Sequence, residues 1–235
     1  HNKGVKVKSV IDIREKSDGT LPKKCNELGI KIHWKSAVIY TEGYKKINKI
    51  HVISLSKDNS SIVGNKLKID CDLLCVSGGY TPAVHLFTQS GGKLDYNEKK
   101  HYFIPKNNTL NQISVGSCNG TFGLKNIISE SQEKTKEFLG IKETEQFNVL
   151  EPKGENFENI WLLPSNKISG KTKSFIDYQN DSTANDIKLA LREGFKSIEH
   201  VKRYTTTGMA TDQGKIANMH ALGIISEVTN TKLGE

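Results

Sequence analysis

The chain has 235 residues, 35% of them hydrophobic, which is enough for one large or two small globular domains. Lysine and arginine (34) outnumber the acids (26) for a net charge of +8, yet only Arg14, Arg192 and Arg203 are arginines, and the scattered lysines argue against a nucleic-acid face. Cys25, Cys71, Cys75 and Cys118 lack the spacing of metal ligands, and no apolar run reaches the roughly 20 residues needed to cross a bilayer. A cytoplasmic protein with neither nucleic acid nor membrane as partner is expected.

The opening H-N-K-G-V-K-V-K-S-V-I-D-I-R-E reads as the continuation of something already under way, so the sequence is expected to be a piece of a longer subunit. Gly4 would close a preceding helix, and Val5, Val7, Val10, Ile11 and Ile13 predict a strand with Asp12 near its end. An acid in that place on the second strand of a dinucleotide-binding βαβ unit accepts bonds from the adenosine ribose and repels a 2′-phosphate, which favours NAD over NADP. The glycine-rich fingerprint that belongs about 20 residues earlier is not in this sequence, and a merely solvated acid is the other reading of Asp12.

A short helix over Lys23 to Leu28 follows Pro22, then a strand from Ile30 to Trp34. V-I-Y-T-E-G, I-N-K-I-H-V-I-S-L and K-L-K-I-D-C-D-L-L-C-V-S have strand period, with turns at Glu42–Gly43 and Asp58–Asn59. They predict a β-meander that feeds a buried strand, Leu73 to Val76. At its end Ser77, Gly78 and Gly79 are candidate nucleotide-binding residues, because backbone beside a dinucleotide must lack Cβ atoms; the alternative is a plain turn before Pro82. His85 fits a packed or capping role better than a catalytic one, having no acid or nucleophile placed for it. D-L-L-C-V-S-G-G-Y-T-P resembles a turn of the flavoprotein reductases that carry two dinucleotide domains, and the order helix, strand, meander, strand is also theirs. I-S-V-G-S-C-N-G, from Ile113 to Gly120, resembles their last strand and turn, with Ser117 in place of the aspartate that meets a flavin's ribityl chain. That substitution speaks against FAD of the usual kind and leaves one hydrogen bond for a dinucleotide. A covering helix is predicted from about Leu124 to Leu139.

Residues 140–173 read as a linker, polar and broken by Pro152, Gly154, Pro164 and Gly170, in which Trp161, Leu162 and Leu163 pin the chain to a neighbouring surface. Thr183 with Asp186 fits a capping box for a helix over about 183–193, closed near Gly194. Ala217, Ala221, Ile224, Ile225 and Val228 share one face of a second helix that should open near Thr211 or Asp212. Between them lies the hinge V-K-R-Y-T-T-T-G-M-A-T-D-Q-G-K. Its cations Lys202, Arg203 and Lys215, its hydroxyls Thr205, Thr206 and Thr207, Gly208 and the helix start at Gln213 are the parts of a phosphate site. A threonine-rich loop bonded to its own backbone is the other reading.

The run E-H-V-K-R-Y-T-T-T-G-M-A-T-D-Q-G-K closely resembles the central part of the alpha subunits of heterotetrameric sarcosine oxidases. The same region resembles, more distantly, the small cluster-binding domain of bacterioferritin-associated ferredoxin. Its cysteines are missing here, Phe175 to Tyr178 and Thr211 to Gly214 standing in their places, and without thiolates an iron–sulfur cluster has no ligands in this region. The resemblance implies an α/β fold: a partial FAD/NAD(P)-reductase-like domain with a β-meander over 1–139, the linker, a small cluster-less helical module over 174–228, and a tail over 229–235 leading to a folate-binding domain.

It further implies NAD on this chain and FMN at an interface with a beta subunit, the hinge facing the FMN phosphate. FAD and tetrahydrofolate belong to the wider complex, with smaller gamma and delta subunits. The implied reaction is oxidative demethylation of sarcosine to glycine, with formaldehyde or methylenetetrahydrofolate and hydrogen peroxide. No residue is assigned as a catalytic base. Two other readings stay open: a subunit of another flavin-dependent amine or proline dehydrogenase, and a non-catalytic interaction module.

Overall fold

A computed structural model describes residues 3–106, 111–141, 147–149, 158–164 and 173–234. Strand β1 (Ser9–Ile11), helix α1 (Thr20–Glu27) and strand β2 (Lys31–His33) form a βαβ unit whose strands pair in parallel, Val10 opposite Ile32. β1 is shorter than the sequence pattern suggests: Val5 and Val7 are exposed, and the pairing begins at Ser9. The main chain continues the ladder beyond it, Asp12 N–H bonding His33 O and Ser36 N–H bonding Asp12 O.

The meander is the most regular part. Strands β3 (Ser36–Gly43), β4 (Ile47–Leu55) and β5 (Ile62–Asp70) form an antiparallel sheet in the order β3-β4-β5. Central β4 buries Ile50, Val52, Ile53 and Leu55, whereas edge strand β5 is largely exposed and carries Lys66 and Lys68, charges that discourage pairing with another chain. Ala37, Ile53 and Leu55 make one apolar core, covered by Ile13, Ile39 and Ile62.

The expected buried strand Leu73–Val76 is not formed. Residues 71–84 carry no regular structure; Leu73 is 69% and Val76 81% exposed, and Cys75, expected to be buried there, is exposed too. β5 takes its bonds from β4 on one side, and among the described residues no strand runs alongside 73–76. An apolar run becomes a strand only where a neighbour completes its ladder. Helix α2 (His85–Gln89), the hairpin β6 (Leu94–Asn97) and β7 (Tyr102–Pro105), a 3₁₀ turn (Gly116–Asn119) and helix α3 (Leu124–Leu139) follow. The strand expected within 113–120 is replaced by that turn.

The C-terminal part is a hairpin of β8 (Phe175–Asp177) and β9 (Ser182–Thr183) with helices α4 (Ala184–Arg192), α5 (Ile198–Thr205) and α6 (Ala217–Thr229). The capping box is present: Asp186 N–H bonds Thr183 Oγ1 and Thr183 N–H bonds Asp186 Oδ2, satisfying two donors that a helix start leaves over. Ile176, Ala184, Ile187, Ala190, Val201, Ala217, Ala221, Ile224 and Ile225 form its core. α6 starts at Ala217, not near Thr211; residues 211–216 are turns.

Residues 158–164 join the two cores. Ile160 and Leu163 pack on the meander core, while Trp161 and Leu162, at a bend between them, pack on the helical one. The indole lies against Gly223, where a Cβ would overlap the ring, and edge-on to His101 and His220. Glu158 is held by Lys35 at 2.6 Å and Asn59 at 2.6 Å. Trp161 and Leu162 thus pin the segment as the sequence suggests, with Leu163 turned to the opposite core. The remainder of 140–173, with Pro152, Gly154 and Gly170, lies largely outside the described residues. No described helix is long and apolar enough to span a membrane.

Candidate functional site

The stretch read as a hinge contains a helix. α5 carries Lys202, Arg203 and Thr205 in its last turn and ends on Thr206, which takes the left-handed conformation at φ 57°. Cations in a last turn face the negative end of the helix dipole and stabilise the helix. The sequence pattern instead places them near the positive start of the next helix. Gln213 and Lys215 likewise sit in the 211–216 turns, ahead of α6.

The centre of the arrangement is Asp177, the last residue of β8, which is 3% exposed. Its Oδ1 accepts from Gln179 N–H at 2.9 Å and Asn180 N–H at 3.1 Å. Its Oδ2 accepts from Gly208 N–H at 2.8 Å. Burial alone would raise this carboxyl, but the amide bonds from Gly208, Asn180 and Gln179 outweigh it and hold the group below the usual carboxylate range. Asn180 Nδ2 also bonds Thr206 O at 2.8 Å, and Ser182 Oγ bonds Thr205 O at 2.6 Å. The β8–β9 turn therefore clamps the end of α5.

The hydroxyls are largely spent inside. Thr205 Oγ1 donates to Val201 O at 2.8 Å and lies 2.8 Å from Thr207 Oγ1, and Thr207 is fully buried. Thr206 Oγ1 donates to Thr205 O at 2.7 Å. Gly208 and Gly214 both have positive φ and face Asn218, whose side chain a Cβ at either position would strike. Thr211 N–H bonds Gln179 Oε1 at 3.0 Å. The amides expected to cradle a phosphate thus meet internal oxygens, Asp177 foremost.

What the module turns outward is different. Arg203, Thr206, Gln213 and Lys215 are exposed, and so are Tyr178, Tyr204, Met209 and Ile216, each at least 46%; Lys202 is half-buried beside Glu199 at 3.7 Å. The module thus exposes cationic, aromatic and thioether groups. A shallow depression of about 230 Å³ in this module is lined by Asn180, Asp181, Ser182, Asp186, Leu189, Tyr204 and Thr205, a set with two carboxylates and no cation, unsuited to an anion.

The other predicted residues lie elsewhere. Asp12 follows β1 and is gripped by Arg14, Nη2 to Oδ2 2.7 Å. Burial would raise its carboxyl, but Arg14 prevails and lowers it. Ser77, Gly78 and Gly79 are exposed in the irregular segment after β5, Gly79 at φ 93°. Ser117 is exposed on the 3₁₀ turn, where the neighbouring Gly116 N–H is already bonded to Glu130 of α3 at 2.7 Å. His85 opens α2 and is exposed. Asp177 was not among the predicted residues; its signal was D-Y-Q-N-D, an aspartate two and three residues ahead of turn formers, the spacing of an Asx turn.

Comparison with known proteins bears on family and fold. Residues 171–235 match the sarcosine oxidase A3 domain. The chain is 31% identical over 233 residues to the sarcosine oxidase subunit alpha of Corynebacterium sp. (strain U-96), 94% of this chain and 24% of that protein. It is 31% identical over 211 residues to that of Corynebacterium sp. (strain P-1), 85% and 21%, and over 207 residues to that of Rhizobium meliloti (strain 1021), 86% and 20%. It therefore spans between a fifth and a quarter of the length of these relatives. The crystal structure of L-proline dehydrogenase from P. horikoshii shares the fold, with a TM-score of 0.59 at 18% identity over 97% of this chain and 46% of that one. The chain belongs, over the stretch it spans, to the family of sarcosine oxidase alpha subunits.

Proposed function

We propose that this chain supplies the cofactor-facing part of an alpha subunit in a flavin-dependent amine oxidase, with sarcosine as substrate. In this reading β1–α1–β2 and the Ser77–Gly79 and Ser117 turns serve a nicotinamide dinucleotide, and the outward face of the helical module meets FMN at the junction with a beta subunit. The observation that carries it is the exposure, within one small module, of Arg203, Thr206, Gln213 and Lys215 together with Tyr178, Met209 and Ile216. Exposed apolar and aromatic groups together with cations suit a protein partner that carries an anionic group.

These residues fit an FMN phosphate through charge and side-chain donors, not through an amide cradle, because Asp177 already holds Gly208 N–H. Bound flavin would supply the acceptance of a hydride equivalent from the amine carbon. Arg203 and Lys215 would hold the phosphate and Thr206 and Gln213 orient it. Buried Thr205 and Thr207, with Gly208, would fix the shape of the turn, and Lys202 would add charge behind it. Sarcosine would leave as glycine, its one-carbon unit as formaldehyde or on tetrahydrofolate, and the electrons as hydrogen peroxide, with the base, FAD and the gamma and delta subunits outside this chain.

Acid extraction of the intact complex, followed by mass spectrometry and iron analysis, tests this. A dinucleotide and flavin without iron, together with peroxide release on sarcosine, is the expected result. A complex with neither flavin nor dinucleotide would leave the module a protein-docking element only.

A further inference from the structure

The 3₁₀ turn that carries Ser117 is held from two sides. Glu130, near the middle of α3, places an oxygen on each end of it: Oε2 accepts from Gly116 N–H at 2.7 Å and Oε1 from Asn119 Nδ2 at 2.7 Å. Ile127, three residues before Glu130 and so on the same side of the helix, lies against the turn too, since a Cβ on Gly116 would stand 3.2 Å from Ile127 Cγ2. On the other side the β6–β7 hairpin reaches Gly120 O, with Tyr102 Oη at 2.9 Å and Lys100 Nζ at 3.1 Å. Tyr102 is only 2% exposed, so this side is anchored in packed structure.

Further polar groups of the turn close on one another. Thr121 N–H bonds Gly116 O at 3.0 Å, Gly120 N–H bonds Ser117 O at 3.2 Å, and Cys118 Sγ donates to Val115 O at 3.0 Å. The exposed Ser117 hydroxyl bonds none of the described residues. It is the polar side chain that the fixed turn leaves over for a ligand.

A half-buried carboxylate costs desolvation unless it is well bonded, and both oxygens of Glu130 serve this one turn. Lys134, four residues on, pairs with Glu137 at 3.0 Å instead. A lone hydroxyl helps a ligand most when the backbone beneath it is already ordered, because binding then avoids the cost of ordering it. We infer that Glu130 is a positioning residue for the dinucleotide, acting through the turn by holding Ser117 where its hydroxyl meets the ligand. The inference rests on the reading above that the Ser117 turn serves a nicotinamide dinucleotide.

Equilibrium dialysis of the intact complex against NAD tests it as a double-mutant cycle. Ser117→Ala should weaken NAD by about three- to tenfold, as expected for one hydrogen bond. Glu130→Ala should weaken it by about as much or more, and adding Ser117→Ala to Glu130→Ala should weaken it by less than about twofold further, because the hydroxyl is then no longer held in place. Glu130→Gln keeps an acceptor for Gly116 N–H and should recover most of the loss. FMN content should be unchanged in every variant. Effects of Ser117→Ala and Glu130→Ala that simply multiply would overturn this inference alone, and so would NAD bound by the Glu130→Ala complex as tightly as by the unsubstituted one. Loss of FMN together with NAD in both Glu130 variants would also overturn it, leaving Glu130 a role in folding only. Unchanged NAD affinity in the Ser117→Ala complex, or no NAD bound at all, would overturn it together with the reading beneath it.

Discussion

Asp177 shows how one side chain decides the character of a site. A buried carboxylate that takes amide bonds from Gln179, Asn180 and Gly208 occupies the place that a phosphate would take if the turn were an open nest. Asp177→Asn should destabilise the protein by about 1–3 kcal/mol, since an amide donor is then forced against N–H groups; thermal melting measures it. Because the folded carboxyl is depressed, its contribution is complete above the unfolded value of about 3.9 and is lost as pH falls through the lower folded value. Melting temperature in the unsubstituted protein should therefore drop below about pH 4 more steeply than in the Asn variant. The role of Asp177 was hard to read because its main partner, Gly208, is 31 positions away; the local half of the pattern, D-Y-Q-N, was in view.

At the scale of elements, legibility follows the range of the forces involved. Thr183 and Asp186 predict their helix correctly because a capping box is complete within four residues. Thr183→Ala should cost about 1 kcal/mol in a denaturant titration, and Thr183→Ser much less. α5 was missed because V-K-R-Y-T-T-T is polar and β-branched, a pattern of low helix propensity, while the structure buries Val201 in the helical core and bonds Thr205 to Val201 O and Thr207. Leu73–Val76 failed in the opposite sense: its apolar run is strand-like, but a ladder needs a neighbour. α6 shows a third case. Gly223 looks like a weakness in a helix, yet it makes room for the Trp161 ring. Gly223→Ala should gain helix propensity and still lose about 1–3 kcal/mol by overlap with the indole. In a Trp34→Phe background, the emission of Trp161 should shift to the red as the ring is displaced.

Across the whole molecule, the segment 158–164 ties the meander core to the helical core. In the proposed function the dinucleotide residues follow β1 and β5 or lie on the 3₁₀ turn, whereas the FMN residues belong to the C-terminal module. The α/β fold and the helical module were legible because the strand period, the caps and the K-R-Y-T-T-T-G run are local. Which groups face outward was not, because that depends on what Asp177 and Thr207 consume inside. The direct test is the FMN content of the intact complex carrying Arg203→Ala with Lys215→Ala, beside Lys134→Ala as a control on α3. The account predicts that FMN falls at least about fivefold in the double variant while FAD and the control are unchanged; full FMN occupancy in the double variant would contradict it.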